Sequence, residues 1–158
     1  MAYTIGELEE QERELVLDSF TLDDAWQLGS TLAERAVRER LPVVIDVRRF
    51  DWVLFRAALP GSAPDQADWI DKKSATVLRF QASSLLTGLR MAADGRDPFA
   101  GGWLDPARYT MAGGSFPVRV TGAGLVAAVT VSGLASDEDH TLILDALRAH
   151  RARGGGDA

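Results

Sequence analysis

The stretch 132–140 reads SGLASDEDH, and Asp137, Glu138 and Asp139 lead directly into His140, one of two histidines in the chain. Three residues apart on a helix, Asp137 and His140 share a face and offer a carboxylate and an imidazole to a metal. Zinc asks for three or four protein ligands, and His150 sits about 15 Å further along such a helix. The same letters also spell a helix start. Ser136 reads as the N-cap and Asp139 as the N3 partner of an S-x-x-D pattern. Three acidic side chains in the first turn are each favoured by about 0.3–1 kcal/mol through the helix dipole. The cap accounts for four residues, so no metal site is expected, and it leaves His140 unexplained.

Lys73 is the second group of interest. On a helical wheel it falls between Trp69, Val77 and Phe80, inside the apolar face, while Asp71, Lys72 and Arg79 take the polar side. Either its stem snorkels past the apolar stripe to water, or its ammonium is partly buried against a pocket or a subunit interface. There it would bind a carboxylate or phosphate, or form an ion pair. The third is Gly113–Gly114 in YTMAGGSFPVRV, 109–120. Paired glycines let backbone N–H groups approach an anion, or simply turn the chain into a strand. No G-K-[ST] follows and no helix opens there, which excludes a Walker loop and a dinucleotide fingerprint. No G-x-S-x-G elbow supports a serine nucleophile, and no catalytic residue is assigned. Trp52, Trp69 and Trp103 read as core or interface residues.

The elements that must position these groups follow from periodicity. Residues 5–19 have a modest apolar stripe among acidic residues and read as a helix. A second helix starts at Thr21, whose hydroxyl and Asp24 form a capping box. It carries Ala25, Leu28, Leu32 and Ala36 at helical spacing and stops at Leu41–Pro42. VVIDVRRFDWVLFRAAL, 43–59, reads as a hairpin turning at RRFD, followed by the breaker-rich loop PGSAP. A third helix runs from about Asp65 to Ala93, with Gly88 as an interruption. A long loop covers 94–108. SFPVRVT and LVAAVTVSGL form a second hairpin around GAG, 122–124, with Pro117 marking an edge or a bulge. A last helix covers 137–151, and a fifth short strand is expected within 107–112. The order αα, ββ, α, ββ, α predicts an α+β domain, an antiparallel sheet of four to five strands flanked by helices.

The 158 residues suit one domain, taken as 1–150 with a flexible tail at 151–158. A net charge of −6 argues against nucleic acid and against an anionic membrane surface. The absence of cysteine excludes disulfides, thiolate metal sites and cysteine nucleophiles. The start MAYTIGELEEQERELVLDSF is acidic and amphipathic, unlike a signal peptide, and no apolar run is long enough for a membrane span. A cytoplasmic location is expected.

GGSFPVRV, the glycine turn, VSGLASDEDHTLILDAL and the upstream DWIDKKSATVLRFQASS resemble the GlcG/HbpS-like, or haem-degrading-domain, family. They are most similar to its branch of short, uncharacterised proteins. The match runs over roughly 20–150 and aligns Trp69 and Lys73 with that branch's W-x-x-x-K segment. The resemblance implies a profilin-like α+β fold and a homo-oligomer of two or more chains. It further implies a small-ligand pocket around Trp69, Lys73, Gly113, Gly114, Phe116 and His140. The family name makes haem a candidate cofactor, with His140, His150, Met111, Tyr109 and Lys73 as candidate ligands. Similar sequences often carry His where this chain has Ala112. The expected function is therefore an oligomeric small-ligand-binding module. A haem-binding or haem-degrading protein and a scaffold without a small ligand are the alternatives.

Overall fold

The computed structural model describes residues 2–154. The chain runs α1 (Ile5–Glu14), β1 (Val16–Leu17), α2 (Leu22–Glu39), β2 (Val44–Arg49), β3 (Trp52–Ala58), α3 (Pro64–Phe80), α4 (Ser84–Ala93), β4 (Ser115–Val120), β5 (Gly124–Ser132) and α5 (Ser136–Gly154). The five strands form one sheet in the order β1-β4-β5-β2-β3. Both expected hairpins are present, and β2 also pairs with β5 antiparallel. The fold is the expected α+β sheet flanked by helices.

The fifth strand is not in 107–112. It is β1, the end of the expected 5–19 helix. That helix stops at Glu14, and Val16–Leu17 then lies parallel to Arg119–Val120 of β4. Two residues are too few for an alternating pattern to show. Thr21 forms the expected capping box: its Oγ1 accepts the Asp24 N–H at 3.1 Å, and the Asp24 carboxylate accepts the Thr21 N–H at 2.7 Å.

The 65–93 helix is two helices, and the break is not at Gly88. Gln81 takes a left-handed conformation (φ 54°) that ends α3, and Ser83 caps α4 through the Leu86 N–H. Gly88 lies inside α4, where a side chain would strike the Met111 carbonyl. Pro64, not Asp65, is the first residue of α3. α5 continues through Gly154, so part of the expected tail is helical; 155–158 lie outside the described residues. No helix among the described residues is long and apolar enough to cross a membrane.

The two faces of the sheet differ. Strand alternation sends Ile45, Val47, Phe116, Val118, Ala127, Val129 and Val131 to one side. There they bury against Ala25, Leu28 and Leu32 of α2 and Leu142, Ile143, Ala146 and Leu147 of α5, forming the main core. The other side, under α3, carries Asp46, Thr130, Ser115 and Ser132, all buried. Ser115 and Thr130 are cross-strand partners and their hydroxyls meet at 2.8 Å. Asp46 accepts two hydrogen bonds from Arg48 and one from Arg56, at 2.7–3.0 Å. Both arginines continue to Asp71 of α3, at 2.9 and 3.1 Å. Charged hydrogen bonds therefore hold one side of α3 to the sheet, where oil-like packing holds α2 and α5.

Candidate functional site

α3 turns Lys73 inward onto this polar side, with 4% of the residue exposed. Its ammonium donates to the Asp139 carboxylate at 3.0 Å and to the Val131 carbonyl at 3.1 Å. Asp139 is itself fully buried, and its other carboxylate oxygen accepts the Leu134 N–H at 3.1 Å. Of the two readings of Lys73, the structure selects burial in an ion pair.

This geometry corrects the cap. Helix α5 opens with the Asp139 N–H donating to the Ala135 carbonyl. The residue that reaches back is Glu138, whose carboxylate accepts the Ala135 N–H at 3.2 Å. Asp139 lies one step past N3 and faces inward. Ser136 does not form a capping box with Asp139; it lies at the rim of a cavity.

The glycine pair makes room for the ion pair. Gly114 has φ 120°, where side chains are strained. A Cβ there would stand 2.5 Å from the Val131 carbonyl oxygen, 2.8 Å from the Lys73 Nζ and 2.9 Å from the Asp139 Cβ. A Cβ on Gly113 would stand 2.8 Å from the Ser136 carbonyl oxygen. These two residues let β4 enter the sheet between Lys73 and the start of α5, so their close neighbours are protein atoms.

The cavity above Lys73 measures about 370 Å³. Gln66, Trp69 and Lys73 of α3 line one wall, and Ser132, Gly133 and Ser136 the other. Trp69 is 38% exposed, and its indole N–H donates to Asp65 at 3.2 Å. Asp65 and Ala112 also line it, with Ala63 and Leu134. Ala112, the position at which the resemblance implies a histidine in relatives, thus faces this cavity. The polar groups on offer are hydroxyls, an amide, a carboxylate and an ammonium already matched by Asp139. Such a set suits a small uncharged molecule with oxygen donors and acceptors better than it suits a free anion.

Burial drives the electrostatics of the pair. It pushes Lys73 below the usual lysine range, and the attraction of Asp139 opposes that shift. It lifts Asp139 to about 6, against the pull of Lys73 and the Leu134 and Gly133 N–H groups. Each group is therefore driven towards its neutral form by desolvation and held charged by its partner.

Phe116 and His140 do not line this cavity. Phe116 is on the core face of β4, 1% exposed. His140 is fully buried between Tyr3 and Phe116, with ring centroids 5.3 and 5.7 Å away. Its Nε2 lies 2.9 Å from Gln11 Oε1, and Nδ1 has no hydrogen-bond partner. Burial, followed by the charge of Arg148, lowers its pKa to about 4, so the ring is neutral. Of the six residues expected around one pocket, Trp69 and Lys73 line it, while Gly113–Gly114 pack against Lys73, Asp139 and Ser136 without lining it. Sequence reasoning missed Asp139 as a partner of Lys73, and it missed Gln66, Ser132 and Ser136.

A haem iron asks for a histidine, cysteine, methionine or tyrosine ligand. Of the five candidates only Lys73 lines this cavity, and its ammonium is committed to Asp139 and Val131. His150 lies beside Phe20 and Asp24, 3.4 Å from the Asp24 carboxylate. Tyr109 is stacked between Arg79 and Arg108. The residues around Lys73 do not fit a haem.

The family model described as "Haem degrading protein HbpS-like" matches residues 20–148. A UPF0303 protein of Streptomyces coelicolor is 53% identical over 146 residues, 92% of each chain. The crystal structure of Ybr137w superposes with a TM-score of 0.85 at 30% identity, covering 94% of this chain and 88% of that one. The structure titled PduOC:Heme Complex has a TM-score of 0.67 at 18% identity, covering 83% and 94%, a likeness of fold.

Proposed function

The chain belongs to the HbpS-like haem-degrading family, and from that premise we propose that it is an oligomeric module whose Lys73 cavity takes a small, uncharged, oxygen-rich ligand. One observation carries this reading. Lys73, whose buried ammonium is neutralised by Asp139, lines a cavity of about 370 Å³ whose other polar groups include Gln66, Ser132 and Ser136. The exposed Trp69 ring adds an apolar wall of the kind that stacks on the C–H face of a polyol.

The oligomeric part rests on β3. It is an edge strand of seven residues, and its outer backbone groups have no strand partner among the described residues. Trp52 and Val53 at its start, Phe50 before it and the nearby Trp26 are 40–65% exposed. A long edge with such side chains is a pairing surface. A second copy of the same strand, laid antiparallel about a two-fold axis, satisfies both edges at once.

Tryptophan quenching tests the ligand site. The parent and Trp69→Phe are titrated with small polyols, hydroxycarbonyls, carboxylates and haem. Saturable quenching by a polyol or hydroxycarbonyl, lost in Trp69→Phe, is the expected result. Identical responses in the two proteins, or saturation with haem alone, overturn the reading.

A further inference from the structure

The chain contains fifteen arginines and two lysines. Two other inward-facing carboxylates are met by arginines: Asp46 by Arg48, and Glu12 by Arg119 at 2.9 Å. That is the usual choice, because the guanidinium fork is weakly hydrated and matches a carboxylate with two hydrogen bonds. The most buried pair breaks the pattern. Its side chains are 5% and 1% exposed, and the cation is Lys73. An amine differs from a guanidinium in one chemical respect that matters here: it loses a proton and becomes a nucleophile.

The surroundings of Lys73 suit that chemistry. Lys73 lines the cavity, and a proton acceptor, Asp139 Oδ2, stands 3.0 Å from its Nζ. The acceptor is held in place by the Leu134 N–H on its other oxygen. Gly114 keeps the space beside Nζ free of side-chain atoms. Lys72, one residue earlier, has none of this. Its side chain pairs with Asp68 at 3.7 Å and lies over the Trp69 ring.

We infer that Lys73 is a Schiff-base lysine, forming an iminium with the carbonyl carbon of a small hydroxylated aldehyde or ketone bound in this cavity. The inference rests on the ligand reading above. The ammonium passes one proton to Asp139, and the resulting amine adds its lone pair to the carbonyl carbon. The nitrogen's proton moves to the oxygen, giving a neutral carbinolamine. Asp139 then returns its proton to the hydroxyl group, which leaves as water as the C=N bond forms. One ammonium and one carbonyl become one iminium and one water, and Asp139 ends as it began, a carboxylate. Asp139 is the positioned proton carrier, and Ser132, Ser136 and Gln66 hold the ligand hydroxyls.

Reductive trapping tests it on the full chain. The protein is incubated with glycolaldehyde or dihydroxyacetone and cyanoborohydride near neutral pH, and labelled lysines are located by peptide mass mapping. Lys72 and the terminal amine are internal controls. The expected result is labelling of Lys73 at least tenfold faster than of Lys72. The same rate should saturate in parallel with Trp69 quenching by the same compound. In Asp139→Asn, shown to be folded by its far-ultraviolet dichroism, Lys73 labelling should fall about tenfold while Lys72 labelling is unchanged. Labelling confined to Lys72 and the terminal amine, with saturable Trp69 quenching intact, overturns the Schiff base and leaves the ligand reading standing. Absence of both overturns both.

Discussion

Removing Lys73 should cost more than removing Lys73 and the charge of Asp139 together. In Lys73→Met at pH 7.5 the Asp139 carboxylate, fully buried, keeps only backbone N–H groups for company. Deleting one partner of a buried pair costs about 3–5 kcal/mol, because the other charge is left without compensation. Asp139→Asn strands the ammonium on the Val131 carbonyl and should cost a similar amount. The double variant has no buried charge, and the amide oxygen that replaces the carboxylate at position 139 still accepts the Leu134 N–H. It should fall within about 1 kcal/mol of the parent, since replacing a whole buried pair is close to neutral. Urea midpoints at one fixed protein concentration, with unchanged slopes, give the three differences. pH supplies the sign. Burial raises Asp139 from 3.8 to about 6 even with Lys73 beside it, so its carboxylate opposes folding at higher pH and is relieved as pH falls. Without Lys73, which pulls this pKa down, the carboxyl holds its proton more tightly still, so the penalty of Lys73→Met should shrink as pH falls below neutral. A double variant as unstable as the sum of the single ones, or a penalty independent of pH, would refute this account.

Three further outcomes follow from particular contacts. Gly114→Ala places a Cβ 2.5 Å from the Val131 oxygen at φ 120° and should lose about 2–4 kcal/mol; a loss under about 1 kcal/mol in urea would contradict the spacing role. His140 is held neutral with its pKa lowered from 6.5 to about 4. A depressed pKa contributes stability above pH 6.5 that disappears as pH falls through 4, here about 3 kcal/mol. His140→Gln should remove that acid-side loss, so that relative to the parent the variant gains stability as pH falls from 6.5 to 4, read from urea midpoints. Trp52→Lys on the edge strand should leave the fold intact and give a monomer by light scattering, whereas an unchanged mass would exclude β3 as the interface.

Local signals in the sequence were enough for the hairpins, the Thr21 cap and the inward position of Lys73, because each is decided within a few residues. What it hid is long-range. Lys73 and Asp139 are 66 positions apart, and nothing near either names the other. The break between α3 and α4 carries no glycine or proline; Gln81 simply takes a left-handed turn that few sequences announce. Gly88 looked like a helix breaker but serves close packing against Met111. Strand β1 exists only because β4 is there to receive it.

SDEDH shows how the local and the distant combine. Successive residues on a helix point about 100° apart. Glu138 therefore turns out to the Ala135 N–H, Asp139 turns in to Lys73, and His140 turns into the core beside Phe116. An acidic first turn satisfies the helix dipole whichever way each carboxylate faces, so the cap pattern is indifferent to which residue has a second role. That indifference is what lets one helix start supply a cap to α5, a partner to a buried lysine and a neutral ring to the core. It also sets neighbouring residues in opposition. Between pH 6.5 and 4, protonating Asp139 favours the fold while protonating His140 opposes it. The two offset each other in the parent, so relative to it His140→Gln should gain and Asp139→Asn should lose stability as pH falls through that window.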